Sequence, residues 1–279
     1  MDRPWSYYEL TQTVLIHYNF NVPLTGLPAD TAKIIFKQDQ SYKFISKFNK
    51  PIYKKDLPPN VQHIEFGYSF NQPINEDSFP SSITHLSFGH NFNQPINEGV
   101  LPSSLTLLYF GHDFNQPINE GVLPSSITHL TFGSGFNQPV NKDLLPSSIT
   151  HLTFGASFNQ PVNKDSLPNS ITHLTFGYVF NQPVNEDNLP DSLISLTFSR
   201  LNSNKSLDNL PNSLLHLKIT YKLRQEINKL PDGLITLKLP FGYRQPINNL
   251  PYGLKTLKIP TKYPIANIKV PFGCEIIKK

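Results

Sequence analysis

The run Phe-Asn-Gln-Pro, followed by Ile or Val and then Asn, begins at Phe70, Phe92, Phe114, Phe136, Phe158 and Phe180, each 22 residues after the last. A constant period in the twenties means one small unit that cannot bury its apolar face alone and does so by stacking on copies of itself. The chain is therefore expected to fold as a solenoid and not as a closed globule. Solenoids expose long open surfaces, and such surfaces bind.

A second landmark fixes the register within each unit. Pro58, Pro80, Pro102, Pro124, Pro146, Pro168 and Pro190 recur every 22 residues; Pro211 follows after 21, then Pro231, Pro251 and Pro271 after 20 each. Behind each proline the apolar residues have the spacing Leu-x-x-Leu-x-Leu. Examples are Ile83, Leu86 and Phe88, then Ile127, Leu130 and Phe132, Ile149, Leu152 and Phe154, and later Leu234, Leu237 and Leu239. Leu86 and Phe88 alternate with His85 and Ser87, which is the period of a strand with one face inward. Gly89 ends that strand, Phe92 and Ile96 return to the core, and Pro95 sits at a bend where its missing N–H belongs to no ladder.

Only seven residues separate Asn97 from Leu105, Gly99 and Pro102 among them, so no long helix fits. The expected fold is a leucine-rich-repeat-like solenoid, with short parallel strands in about 11–12 coils and turns or a 3-10 turn on the convex side. Asn93 and Asn97 are both candidates for an amide ladder between coils. Asn97 is preferred, because its equivalents Asn228 and Asn248 persist where Arg224 and Arg244 replace the other asparagine.

Residues 1–19, with Trp5, Tyr7, Tyr8, Leu10, Val14, Leu15 and Ile16, are expected to form an amphipathic cap. Residues 20–279 form a single solenoid on this reading. Its regular repeats span 57–190, its degenerate ones 20–56 and 191–270, and a closing strand lies in 271–279. Residues 37–44 are expected to protrude as a loop, since the spacing from Phe36 to Phe48 exceeds the usual one by eight.

Composition narrows the class. Charged residues make up 16% against 38% hydrophobic, too little charge for a disordered chain. A single cysteine, Cys274, excludes an intramolecular disulfide framework. No apolar run is long enough for a bilayer, and the first residues lack the pattern of a secretion signal, so a cytoplasmic location is expected. The sequon Asn204-Lys205-Ser206 is read as chance on that basis. Net charge is unevenly spread: +3 over residues 1–56, −9 over 57–199 and +10 over 200–279. A partner can be steered by that asymmetry.

The Phe-Asn-x-Pro-Ile/Val signature at 22-residue spacing, with Leu-Pro-x-Ser-Ile/Leu ahead of each strand, resembles the FNIP repeats of social amoebae and their giant viruses. The resemblance covers about residues 20–270 and is strongest over 57–190. It implies a leucine-rich-repeat-like fold and a protein-interaction role. Many such proteins carry an N-terminal F-box that recruits a ubiquitin ligase while the repeats hold the target. No F-box pattern is found here, where nineteen residues precede Phe20.

Two outward columns carry the candidate chemistry. The first reads His63, His85, Leu107, His129, His151, His173, Ser195 and His216. A straight column on a flat sheet cannot surround one ion, so no metal and no cofactor are expected there. Solvated imidazoles, or a partner surface that strengthens below about pH 6.5, fit better. The second column reads Ser87, Tyr109, Thr131, Thr153, Thr175 and Thr197, then turns basic at Lys218, Lys238 and Lys258. Thr suits exposed strands on propensity alone, but aligned lysines repel one another unless an anion faces them. No phosphate-binding glycine loop, nucleophile elbow or zinc-protease motif occurs, and Glu76, Glu98, Glu120 and Glu186 recur singly at the bends. With no paired catalytic groups in the sequence, the expected function is a non-enzymatic scaffold for a protein partner of the host cell. The alternative is an anion-binding module for nucleic acid or an anionic membrane, using the basic C-terminal third with Arg224, Arg244, Lys255 and Lys262.

Overall fold

The computed structural model describes residues 5–36, 45–184, 187–201, 207–227, 229–265 and 268–279. The loop expected at 37–44 lies outside the described residues. The chain divides into two compact units, Met1–Gln138 and Pro139–Lys279.

In the first unit the strands are β1 (Trp5–Tyr8), β2 (Thr13–Ile16), β3 (Lys33–Phe36), β4 (His63–Glu65), β5 (His85–Ser87), β6 (Leu107–Tyr109) and β7 (His129–Thr131). β1 and β2 form an antiparallel hairpin, with Trp5 opposite Ile16. From β2 to β7 every pairing is parallel and in sequence order. Val14 and Ile16 are buried, whereas Leu10, at the hairpin tip, is fully exposed.

The second unit holds β8 (His151–Thr153), β9 (His173–Phe176), β10 (Ser195–Arg200), β11 (His216–Lys222), β12 (Thr236–Lys238), β13 (Thr256–Ile259) and β14 (Glu275–Lys278). All of its pairings are parallel. β10 and β11 are the longest strands, and the sequence gives the reason. Ser199 and Thr220 stand where earlier coils have a strand-ending glycine, so the extended backbone runs on.

Each unit is a parallel β-solenoid. Among the described residues there is no α-helix, only 3-10 turns at Glu9–Thr11 and Lys54–Asp56. The core of each coil is the set predicted from the period: Ile83, Leu86, Phe88, Phe92 and Ile96 are all at most 4% exposed. The Phe92 ring lies 6.0 Å from Phe70 and 6.1 Å from Phe114, nearly parallel to both, and 3.9 Å from Phe88 of its own coil. Stacking continues through Phe48, Phe70, Phe92, Phe114 and Phe136. Burying one such side chain contributes about 1.5–3 kcal/mol, and each coil depends on its neighbours for it.

The glycine column permits that spacing. A Cβ added to Gly89 would lie 1.8 Å from the Gly67 carbonyl oxygen, and one on Gly111 would lie 1.7 Å from that of Gly89. These glycines are required by the approach of backbone to backbone between coils.

The amide ladder corrects the sequence expectation. It is built by the asparagine that follows the phenylalanine, not by the Asn97 class. The backbone N–H of Asn115 donates to Asn93 Oδ1 at 2.9 Å, and that of Asn93 to Asn71 Oδ1 at 2.9 Å. The chain of bonds runs from Asn21 through Asn49, Asn71, Asn93 and Asn115 to Asn137. The glutamine beside each joins in: Gln94 Nε2 donates to Asn71 Oδ1 at 3.0 Å, and Gln116 Nε2 to Asn93 Oδ1 at 3.1 Å. Asparagines of the other class close local turns instead. Asn75 Oδ1 accepts from the Asp77 N–H at 3.0 Å, and Asn163 Oδ1 from the Ser166 N–H at 2.9 Å. Such side-chain turns at Asn75 and Asn163 need no neighbouring coil.

Candidate partner-binding face

The inward alternation of each strand leaves two outward residues per coil, and parallel pairing sets them in register. In the first unit the leading outward column runs Lys33, His63, His85, Leu107, His129. In the second it runs His151, His173, Ser195, His216, Thr236, Thr256 and Glu275. The His63 and His85 rings stack at 5.4 Å, and His151 and His173 at 4.1 Å.

A threonine precedes most of these histidines and fixes the ring. Thr84 Oγ1 is 2.8 Å from His85 Nδ1, and Thr172 Oγ1 is 2.9 Å from His173 Nδ1. Both hydroxyls donate to a carbonyl of the preceding coil, Gln62 at 3.3 Å and Thr150 at 3.2 Å. A hydroxyl with its hydrogen so placed accepts from Nδ1–H, which turns the Nε2 edge outward. Thr128 and Thr150 sit at 2.9 Å from the Nδ1 of His129 and His151 in the same way.

His63 and His85 depart from the sequence expectation of a face that charges below about pH 6.5. Burial, then the adjacent Lys33 cation, then His85 push His63 down to about 4. His85 is lowered too, first by burial and then by Lys33 and His129. After burial, Lys33 is the contribution hidden from the sequence: it joins the column 30 residues before His63, outside the 22-residue period.

The trailing outward column runs Glu65, Ser87, Tyr109, Thr131 in the first unit. In the second it runs Thr153, Thr175, Thr197, Lys218, Lys238, Lys258 and Ile277. Among the described residues, Lys218, Lys238 and Lys258 make no ion pair with a carboxylate. Lys238, in the middle, has its pKa lowered by burial and then by Lys218, Lys279 and Lys258.

The structure adds a group that the sequence did not bring together. The Arg200 guanidinium lies 5.2 Å from the Tyr178 ring centroid, and Tyr221 meets Tyr178 edge-on at 5.8 Å. Lys222 pairs in register with Arg200, and its pKa is lowered first by Arg224, then by burial and Arg200. The available signal was the lost strand-ending glycine, which carries β10 and β11 far enough to align these residues.

The FNIP Repeat family matches residues 48–91, 92–135, 136–179 and 180–222, more than half of the chain. The chain belongs to the FNIP repeat family. Among solved structures, the FNIP chain is similar to CroV588, a circular leucine-rich-repeat protein of a giant virus, at 38% identity with a TM-score of 0.79. The similarity covers 95% of this chain and 43% of CroV588, so the chain spans less than half the length of that relative. YopM from Yersinia enterocolitica WA-314 is matched at 17% identity over 92% of this chain and 66% of that one, with a TM-score of 0.38. No curated protein matches the chain. No helix among the described residues is long and apolar enough to cross a membrane.

Proposed function

We propose that this FNIP-repeat chain is a non-enzymatic scaffold whose outward strand columns hold a protein partner. The observation that carries the proposal is the in-register lysine column Lys218, Lys238, Lys258, whose cations face outward without carboxylate partners. Coils about 4.8 Å apart hold like charges close together, and an acidic partner surface relieves that repulsion. His216 lies beside Lys218 on β11; His151 and His173 supply hydrogen-bonding groups further along the neighbouring column, and His63, His85 and His129 do so in the first unit. The partner is a protein of the host cell, met in the cytoplasm. Coupling to ubiquitin transfer, the role implied for FNIP proteins that carry an F-box, is one that the same face can serve.

Affinity capture from host lysate tests this reading. A retained protein lost from the K218E/K238E/K258E variant supports it; retention unchanged by that variant and by alanine at His151, His173 and His216 refutes this face. A second reading, an anion-binding module for nucleic acid or anionic lipid, is favoured by the Tyr178, Arg200 and Tyr221 cluster, where a base can stack beside a cation. Phosphate binding weakens steeply with salt, so a flat response between low and moderate ionic strength excludes it.

A further inference from the structure

The residue after each strand-ending glycine is presented to solvent at a fixed interval. In the first unit these residues are Tyr68, His90, His112 and Ser134, each followed by Ser69, Asn91, Asp113 and Gly135. Two successive coils thus place a histidine at one position, and the second adds an aspartate beside it. The coils are otherwise almost identical copies, so the departure is local.

The backbone holds these residues firmly. The Asp113 N–H donates to the His90 carbonyl at 2.8 Å, and the Gly135 N–H to the His112 carbonyl at 2.6 Å. The His90 and His112 rings stack at 4.3 Å with 5° between planes, and Tyr68 stacks on the far face of His90 at 4.3 Å. Both imidazoles turn Nδ1 towards one carboxylate: His112 Nδ1 is 2.7 Å from Asp113 Oδ1, and His90 Nδ1 is 3.6 Å from Oδ2. His90 Nδ1 also lies 3.0 Å from Asn91 Oδ1. One donor atom from each of His90, His112 and Asp113 falls within 4.8 Å of the other two.

We propose that His90, His112 and Asp113 bind a divalent transition-metal ion of the zinc class. Ligand bonds of about 2.0–2.2 Å in a tetrahedral site set donors about 3.4 Å apart, within a small rotation of what the half-buried His90 and the exposed His112 and Asp113 already show. Two imidazoles and one carboxylate suit zinc, copper(II) or nickel over magnesium or calcium, which prefer oxygen throughout. The two rings rotate so that their Nδ1 lone pairs converge, and each Nδ1 proton gives way to one on Nε2. Water or a partner side chain completes the shell. This differs from His85, His129, His151 and His173 of the strand face, whose Nδ1 atoms each lie against a threonine hydroxyl. Bound there, the ion ties one coil to the next at the edge of the outward face.

The test is calorimetric titration of the purified full chain with zinc chloride, alongside the visible spectrum of the cobalt(II) form. One ion per chain with micromolar Kd and tetrahedral cobalt absorption is expected. His112→Ser and Asp113→Asn, which copy residues found at Ser134 and Asn91 and so preserve the fold, are each expected to weaken binding about tenfold or more. His129→Ala is expected to leave it unchanged. Absence of saturable binding, or binding indifferent to both His112→Ser and Asp113→Asn, overturns the proposal.

Discussion

Replacing Asn93 by alanine separates the two asparagine classes. The side chain takes the Asn115 backbone N–H at 2.9 Å and Gln116 Nε2 at 3.1 Å. Gln116 keeps its second bond, to the Asn93 carbonyl at 3.1 Å, so the loss falls mainly on the Asn115 amide. A buried donor without an acceptor costs about 1–3 kcal/mol; the site is half-buried, so about 2 kcal/mol is expected. The Asn97 side chain is exposed, and Asn97→Ala should cost less than about 0.5 kcal/mol. Native-state hydrogen exchange reads the difference locally, which matters because a stacked array need not unfold in one step. Protection of the Asn115 amide should fall about 30-fold in Asn93→Ala, the equivalent of about 2 kcal/mol. It should be unchanged in Asn97→Ala and largely kept in Asn93→Asp, which retains an acceptor. Unchanged Asn115 protection in Asn93→Ala, or a larger loss in Asn97→Ala, would refute the ladder assignment.

Gly111→Ala forces a methyl group against the Gly89 carbonyl, 1.7 Å from its oxygen, so a loss of at least about 2–3 kcal/mol is expected in urea unfolding; a neutral result would show that coils part freely. His63 supplies a pH dependence. Its pKa is about 4 in the fold against an ordinary 6.5, so between these values the unfolded chain binds the extra proton and stability falls as pH falls. After allowing for solvent around a half-exposed ring, the effect is of order 1 kcal/mol. His63→Gln should flatten melting temperature against pH over that window, and an unaltered profile would remove His63 as the cause.

The inward residues were legible because burial repeats with the period: a position that is Phe or Leu in every copy has one environment to fill. Strand register followed from the same count, Leu86 beside Leu108 and His85 beside Leu107. The ladder was not legible, because both asparagines recur every 22 residues and periodicity cannot distinguish a bond between coils from one within a turn. Persistence in the worn repeats pointed the wrong way. Those coils dispense with the ladder, and Tyr243 and Tyr263 take the phenylalanine position with hydroxyls that donate to the carbonyls of Gln225 at 3.3 Å and Gln245 at 2.6 Å. Burial is the first cause of the lowered pKa of His63; the second, Lys33, was hidden because it lies out of period. His90, His112 and Asp113 passed unnoticed because the repeat has no fixed residue there; their signal was shared departure at one position in successive coils.

Parallel stacking at one-period register underlies every claim about the face. In a Cys274→Ser background, Ser87→Cys and Tyr109→Cys place thiols on Cα partners of adjacent strands, about 4.8 Å apart and within disulfide range. Glu65→Cys with Tyr109→Cys spans two coils, about 9.6 Å, which is out of range. Mild oxidation followed by non-reducing mass spectrometry should find the first pair joined within one chain and the second unjoined. Joining of the second pair in preference to the first would contradict the stacked arrangement.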